Sequence, residues 1–345
     1  MFLSKFIGLF SNDLAIDLGT ANTLVIAKGH GIIINEPSVV AVKLEKNGYP
    51  KVLAVGQEAK DMVGKTHDKI RAVRPMKDGV IADFDMTERM IRRFIEKAHG
   101  RTSLISPRII ICVPYELTQV ERKAVRDSAI SAGAREVFLI EEPMAAAIGS
   151  GIDIREPRGN LVVDIGGGTT EIGVVSLGGL VLSKSIRVAG DKIDKAIVDY
   201  TKRQYNLLIG ERVAEDVKIN IGTAMPLEKR LSMSISGRSQ GGGMLNTITI
   251  TSEDAYEAMK EPLKEIAEAL REVLEKVPPE LAGDIVDRGI ILTGGGALTR
   301  ELDKFLSDIV QIPVYIAEEP LLAVAKGTGE ALNNIDLLQE LFEDE

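Results

Sequence analysis

Cys112 is the only cysteine in this 345-residue chain. That count excludes a disulfide framework and a cysteine zinc site. Cys112 lies inside an apolar run from Ile109 to Val113, so it is expected to be a small buried hydrophobe in a reducing compartment. No apolar stretch reaches the roughly 18 residues that a membrane-spanning helix needs. Clusters of lysine and arginine are absent too. With 42 basic and 51 acidic residues the net charge is −9, which argues against nucleic acid as a partner. Contact with an anionic lipid surface would therefore depend on inserted apolar side chains. Hydrophobic residues make up 45% and charged residues 27%, as in ordinary globular proteins, and the length favours two domains.

The informative content is a duplication. Residues 15–26 read AIDLGTANTLVI and residues 162–173 read VVDIGGGTTEIG. At one constant offset Asp17 falls on Asp164, Gly19 on Gly166, Thr23 on Thr170 and Gly31 on Gly178. Each copy has a β-branched run, an Asp near its end, a Gly/Thr-rich turn and a second apolar run. This is the pattern of strand, tight turn and strand. Further pairs follow in the same order. RIIICVPYELTQVERKAV from Arg108 resembles RGIILTGGGALTRELDKF from Arg288, and EEPMAAAIGSG from Glu141 resembles EEPLLAVAKGTG from Glu318. Each half thus predicts strand, turn, strand, strand, then strand, helix, strand, helix. Repeats this long are not solenoid periods. They imply two homologous α/β domains with a site between them.

Two insertions interrupt the halves. About residues 33–66 the chain turns to short alternating strands around Lys46-Asn47-Gly48. About residues 187–250 a helical stretch precedes two alternating strands, LSMSIS and NTITIT, joined by a Gly-rich loop at Gly241 to Gly243. The expected spans are 1–145 for the first lobe, 146–330 for the second, and 331–345 for a segment returning to the first. Thr118 with Glu121 makes a capping box for a helix ending at Gly133. Ser252 opens a long helix stopped by Pro278-Pro279, and another helix begins near Leu298.

In an Asp-x-Gly-Thr turn, successive backbone N–H groups point into a concavity that binds phosphate oxygens. Two such turns facing each other would hold a polyphosphate. The carboxylates of Asp17 and Asp164 would hold a divalent metal between them. Magnesium suits this arrangement, because it keeps several waters and takes few protein carboxylates. A single such turn is usually a plain hairpin, so the pair carries the reading. Gly294, Gly295, Gly296 and Ala297 read either as a tightly packed βα loop or as a flat backbone surface for a nucleoside near a helix N-terminus. Glu211, Glu215 and Lys218 share one helix face. Alone that face is a solvated salt-bridge stripe; it matters because the cleft would border it.

These stretches carry a family resemblance. IDLGTANTL, VVDIGGGTTE, LTGGGAL and EEPMAAAIG are similar to the two phosphate motifs, the adenosine motif and the connecting motif of the actin and heat-shock chaperone ATPase superfamily. The wording of SNDLAIDLGTANT, NEPSVVA, RPMKDGVIADF and DIGGGTTE resembles the MreB family of bacterial actins, from about residue 12 to about residue 332. The resemblance implies an α/β, actin-like ATPase fold. It would have two duplicated ribonuclease H-like domains, a nucleotide cleft between them and a small inserted subdomain on each. It also implies ATP and Mg2+ as ligands, with slow hydrolysis coupled to polymerisation. The filaments would be of the chain itself, cytoplasmic and peripheral on the inner face of the cytoplasmic membrane. There they would direct rod shape with partners from the cell-wall elongation machinery.

By motif, Thr20, Ala21 and Asn22 resemble the first phosphate turn, and Gly166, Gly167, Gly168 and Thr169 the second. Glu215 and Lys218 resemble the base and ribose contacts, and Gly294 to Ala297 the adenosine motif. Glu142, just before Pro143, matches the position that orients the hydrolytic water, with Glu141 as second choice. Such a residue suits a loose phosphoryl-transfer transition state, where positioning and metal electrostatics do most of the catalysis.

Two apolar features lie outside the repeats. Phe2, Phe6 and Phe10, with Leu3 and Ile7, fall at helical spacing. The segment is too short and too poor in basic residues for a signal peptide, and no small-residue cleavage site follows. A frayed terminus or a strand packed on the core would be the plain readings; a membrane-surface helix is the expected one. Leu104 and Ile105 sit between a helix and a strand, where such a pair is usually partly buried. In the family resembled, this loop inserts into lipid. A small-molecule kinase of the same superfamily is one alternative, though no unclaimed loop Asp stands out as its base. A non-hydrolysing filament scaffold is the other.

Overall fold

Leu14, Ala15, Ile16 and Leu18 are buried and only Asp17 is half-exposed in the strand Leu14–Leu18 (β1). A strand apolar on both faces belongs at the centre of a sheet, and β1 is central. The structure is a computed structural model that describes residues 13–44, 50–65, 70–99, 106–240 and 243–335. β1 pairs antiparallel with Asn22–Ala27 (β2), and β2 with Gly31–Pro37 (β3). Val40–Leu44 (β4), Pro50–Val55 (β5), the short helix Gln57–Lys60 (α1) and Ile70–Val73 (β6) follow. They form a three-stranded insert, β5-β4-β6, around Val39, Ala41, Ala54 and Ala59. The insert runs past the expected residue 66 because β6 is its third strand. The Lys46-Asn47-Gly48 turn lies outside the described residues.

Met76–Lys77 (β7) and Val80–Ile81 (β8) pair across Asp78 and Gly79, whose φ angles of 51° and 77° are those of a mirror-image hairpin turn. Phe84–His99 (α2), Arg108–Val113 (β9), Gln119–Ala132 (α3), Glu136–Glu141 (β10) and Glu142–Gly149 (α4) complete this half. β9 and β10 join β1 in parallel, and the sheet order is β10-β9-β1-β2-β3. Thr118 and Glu121 cap α3 reciprocally, and Gly133 ends it at φ 119°, as expected.

The second half begins Asn160–Ile165 (β11), Thr170–Ser176 (β12) and Gly179–Ile186 (β13). Gly190–Tyr205 (α5), Leu207–Leu208 (β14), Glu211–Ile221 (α6), Ser232–Ser239 (β15), Leu245–Thr251 (β16) and Ser252–Leu274 (α7) make its insertion. It closes with Pro279–Arg288 (α8), Ile290–Thr293 (β17), Leu302–Val310 (α9) and Val314–Ile316 (β18). The core sheet runs β18-β17-β11-β12-β13, the same order as the first. Gly31 and Gly178 have φ of 73° and 77°. The repeat in sequence is thus a repeat in topology.

Two helix boundaries differ from the expectation. α7 stops at Leu274, and Pro279 opens α8 as a first-turn proline. α9 starts at Leu302, not near Leu298, after a 3-10 turn at Gly295–Leu298. The Arg300 guanidinium donates to the carbonyls of Ile219 and Gly222 at 3.1 and 3.3 Å, and its own carbonyl accepts from Ala224 N at 2.8 Å. Those bonds hold the intervening segment out of helix geometry.

The last helix, Ala323–Asn333 (α10), belongs with the first half. Among the described residues, one compact unit takes those up to Glu156, residues 175–180 and those from Leu322; the other takes Pro157–Val174 and Val181–Leu321. The return therefore comes at 322, earlier than the 331 read from sequence. Its reason is a helix crossing. α10 packs on α4, its own repeat counterpart, and also lies on β1 and β9. A Cβ on Gly149 would overlap the Ala323 carbonyl oxygen, and one on Gly327 the Ala145 carbonyl oxygen. The two backbones touch at their glycines, and Ala145, Ala146, Ala147 and Ala325 are fully buried around the crossing.

Gly149→Ala and Gly327→Ala should each destabilise the protein by about 1–3 kcal/mol or more, as overpacking does. Gly283→Ala in α8, where an added Cβ meets nothing within 4 Å, should instead stabilise by about 0.5–1 kcal/mol. Thermal unfolding of the three variants checks this. Unchanged midpoints for the first two would mean that the helices do not cross backbone to backbone.

Candidate functional site

In the first unit, β1 and its parallel neighbours place Asp17, Cys112 and Ile140 in one row. Asp17 therefore sits at the carboxyl edge of the sheet, where α/β proteins bind ligands. Beyond it the chain turns through Gly19, Thr20, Ala21 and Asn22 into β2. A Cβ on Gly19 would lie 2.6 Å from the Asn22 carbonyl oxygen, so the turn needs glycine there. Thr20 is buried, and its hydroxyl accepts from Gly79 N at 3.0 Å. That bond joins the turn to the β7–β8 hairpin. Ala21 and Asn22 are exposed. Ser38 lies behind the turn. Its Oγ donates to the Gly19 carbonyl at 2.6 Å and its N–H to the Ala21 carbonyl at 2.9 Å.

Glu141 and Glu142 follow at the carboxyl edge two strands away, at the junction of β10 and α4. Arg122 of α3 holds the Glu141 carboxylate through both terminal nitrogens at 3.2 Å. Glu142 opens α4 and is buried, with Pro143 at the first turn.

In the second unit, Asp164 is the last residue but one of β11 and lies next to Thr293 of β17. It is buried, and Thr293 Oγ1 donates to its Oδ1 at 2.7 Å. Burial pushes its pKa up to about 6, with the Thr293 bond opposing. The turn that follows is closed by Gly166 N donating to the Thr169 carbonyl at 2.9 Å. The carbonyls of Gly166 and Gly167 accept from Gly190 N and Asp191 N, at 3.1 and 2.8 Å, in the first turn of α5. Gly168 and Thr169 are buried.

Lys218 of α6 reaches the same place. Its Nζ lies 2.9 Å from the Asp194 carboxylate and 3.2 Å from the Gly190 carbonyl. The face read as Glu211, Glu215 and Lys218 thus divides: Glu211 is exposed, Glu215 half-buried, and Lys218 is drawn inward. Asp194 was not singled out in the sequence. Its pKa is pushed up to about 6 chiefly by burial, against the pull of Lys218 and with Glu215 and Asp191 adding to the rise. The available signal was its place one helical turn after Asp191 in the helix that follows the repeat.

The third glycine cluster splits as well. Gly294 has φ 77°, and a Cβ on Gly294 or Gly296 would collide with Ile165, the residue after Asp164. Packing explains those two glycines. Gly295 is the exposed member, and Ala297 is buried. Among the predicted residues, the second unit brings together Asp164, the turn Gly166–Thr169, Lys218 and the Gly294–Ala297 loop. The first unit places Asp17, Thr20–Asn22 and Glu142 along one sheet edge. Phe2, Leu3, Phe6, Ile7, Phe10, Leu104 and Ile105 lie outside the described residues.

The Asp164 pKa has a consequence for stability. A carboxyl whose pKa is higher folded than unfolded stabilises the fold while protonated; that stability is full below the unfolded value and is lost as pH rises through about 6. Asn keeps an acceptor for Thr293 and removes the charge. Nucleotide-free Asp164→Asn should therefore be more stable than the parent at pH 8, on the order of 3 kcal/mol, and the gap should close towards pH 4. Denaturant unfolding at both pH values checks it, and equal stability at pH 8 would refute it.

Comparison with known proteins identifies the family of the chain. The pattern of the MreB/Mbl protein family matches residues 11–340. The chain is 54% identical over 346 residues to the cell shape-determining protein MreB of Escherichia coli (strain K12), covering 99% of this chain and 100% of that protein. It is 52% identical over 330 residues to the cell shape-determining protein Mbl of Bacillus subtilis (strain 168), covering 96% and 98%. The crystal structure of MreB5 of Spiroplasma citri bound to ADP superposes with a TM-score of 0.89 at 39% identity, covering 95% of this chain and 98% of that one. The two equivalent five-stranded sheets are those of the actin-like fold, and the chain belongs to the MreB/Mbl family.

Proposed function

We propose that this protein binds ATP with Mg2+, hydrolyses it slowly as it polymerises, and forms filaments on the inner face of the cytoplasmic membrane. Those filaments would direct rod shape by organising cell-wall synthesis. The observation that carries the reading is the pair of equivalent strand–turn–strand units, each with an acid at the end of a central strand. The ADP bound by MreB5 of Spiroplasma citri supports a nucleotide as the ligand.

In this reading the backbone amides of Thr20–Asn22 and Gly166–Thr169 take phosphate oxygens. Gly295 and its neighbours face the adenosine, and Glu215 and Lys218 the base and ribose, with Asp194 holding Lys218 in place. Asp17 and Asp164 would hold the metal. Their oxygen donors suit a hard cation, and a buried carboxylate such as Asp164 gains from one. Among the described residues no group of three or more His, Cys, Asp or Glu forms a protein cage. A sparse donor set of that kind fits magnesium, which leaves most positions to water and phosphate. When bound, Mg2+ neutralises phosphate charge. Glu142, buried at the start of α4, would orient water, with Glu141, held by Arg122, as second choice.

Titration with Mg-ATP and a phosphate-release assay test the site. Asp17→Ala and Asp164→Ala should each weaken Mg-ATP at least tenfold, about 1.4 kcal/mol. Glu142→Ala should bind nearly as the parent does while phosphate release collapses, because the contact matters chiefly in the transition state. Unchanged affinity in both Asp variants would sink the two-turn reading; the Glu142 pattern appearing in Glu141→Ala would move the role by one residue.

No helix among the described residues is long and apolar enough to cross a membrane, so the attachment proposed is to the surface. Burial of Phe2, Leu3, Phe6, Ile7 and Phe10 could gain up to about 1.5–3 kcal/mol each, and less at an interface. Filaments multiply weak anchors into avidity. Deleting residues 1–10 together with Leu104→Ser and Ile105→Ser should leave ATP binding intact and abolish co-sedimentation with vesicles. Parent-like pelleting of that variant would refute membrane attachment by these residues.

A further inference from the structure

We propose that Ser38 is a positioning residue for phosphate binding, which ties back the carbonyl oxygens of the first turn and so presents the turn's amides to the phosphates. The inference rests on the nucleotide reading above and names the residue that gives this turn its polarity.

Ser38 follows β3 and is fully buried. Its hydroxyl and its N–H each donate to a carbonyl of the turn, Gly19 at 2.6 Å and Ala21 at 2.9 Å. The Thr23 hydroxyl lies 2.8 Å from Ser38 Oγ. A hydroxyl has one proton to give. Ser38 gives its own to Gly19, so Thr23 is the donor in that pair and orients the serine.

The C=O and N–H of a planar trans peptide point in opposite directions. Anchoring the Gly19 carbonyl therefore turns Thr20 N–H away from Ser38, and anchoring the Ala21 carbonyl does the same for Asn22 N–H. The second unit reaches the same result by other means. There Gly190 N and Asp191 N take the carbonyls of Gly166 and Gly167, which turns Gly167 N–H and Gly168 N–H away from α5. A helix end does in one unit what a single serine does in the other. Carbonyl oxygens repel an anion that amide N–H groups attract, so the tie-back decides how the turn meets phosphate.

Calorimetric titration of the full chain with Mg-ADP and, separately, with adenosine tests the proposal. Ser38→Ala should weaken Mg-ADP about tenfold while adenosine affinity stays within about twofold. Ser38→Thr, which keeps the hydroxyl, should recover most of the Mg-ADP affinity. A merely structural serine would move both ligands together; equal loss for both, or loss for neither, overturns the proposal. Should Ser38→Ala fail to fold, the nitrogen-15-labelled parent decides. The Thr20 and Asn22 amide resonances should shift on adding Mg-ADP and stay in place with adenosine, and no shift with Mg-ADP overturns the proposal. A parent that binds neither ligand would refute the nucleotide reading itself.

Discussion

A carboxylate out of water at the end of a central strand imposes the main constraint on the second unit. Asp164 has the Thr293 hydroxyl against it, and burial lifts its pKa to about 6, so at neutral pH it is ionised at a cost to the fold. The strand end beside Asp164 is also a place of close backbone approach. Gly294 and Gly296 lie so near Ile165, the next residue, that neither tolerates a Cβ. A cation bound to the carboxylate would relieve the cost of ionisation, and whatever binds only the folded form stabilises that form. In this unit, ligand affinity and fold stability are two views of one buried charge.

Duplication gave each unit the same sheet order and left the details free to diverge. The first turn carries side chains, Thr20 and Asn22, and is braced by the Ser38 hydroxyl and the β7–β8 hairpin. The second is nearly all glycine and is braced by the start of α5. The connecting helices diverged differently: α10, the second copy, joins the first unit and crosses α4, the first copy. Two helices meet backbone to backbone only where both are small. Gly149 and Gly327 meet that requirement reciprocally, and the alanines around them remain buried.

What was readable in the sequence was what local pattern encodes. The β-branched runs ending in Asp, the positive-φ glycines of the turns and the Thr118–Glu121 capping box all appear where short-range chemistry demands them. Partners brought in from a distance were not readable. Asp194 gains its importance from Lys218 on another helix, 24 residues away. Ser38 acts across 19 residues on Gly19. The start of α9 depends on Arg300 reaching carbonyls at the end of α6, which no periodicity within residues 294–310 reveals. The early return at Leu322 has the same origin, since a helix pattern does not state which unit it will pack on.

The buried polar groups beside the two turns also differ in what they hold. In the first unit, Ser38 and Thr23 satisfy each other and a backbone carbonyl, a neutral network whose cost is small once every partner is in place. In the second, Asp164 and Asp194 both carry raised pKa values, and among the described residues only Asp194 has a cation, Lys218, in contact. Neutral networks rigidify a turn, whereas a buried carboxylate gains from a cation placed against it. The first turn is thus built to be rigid before any ligand arrives. A cation would gain more from the buried Asp164 carboxylate than from the half-exposed Asp17.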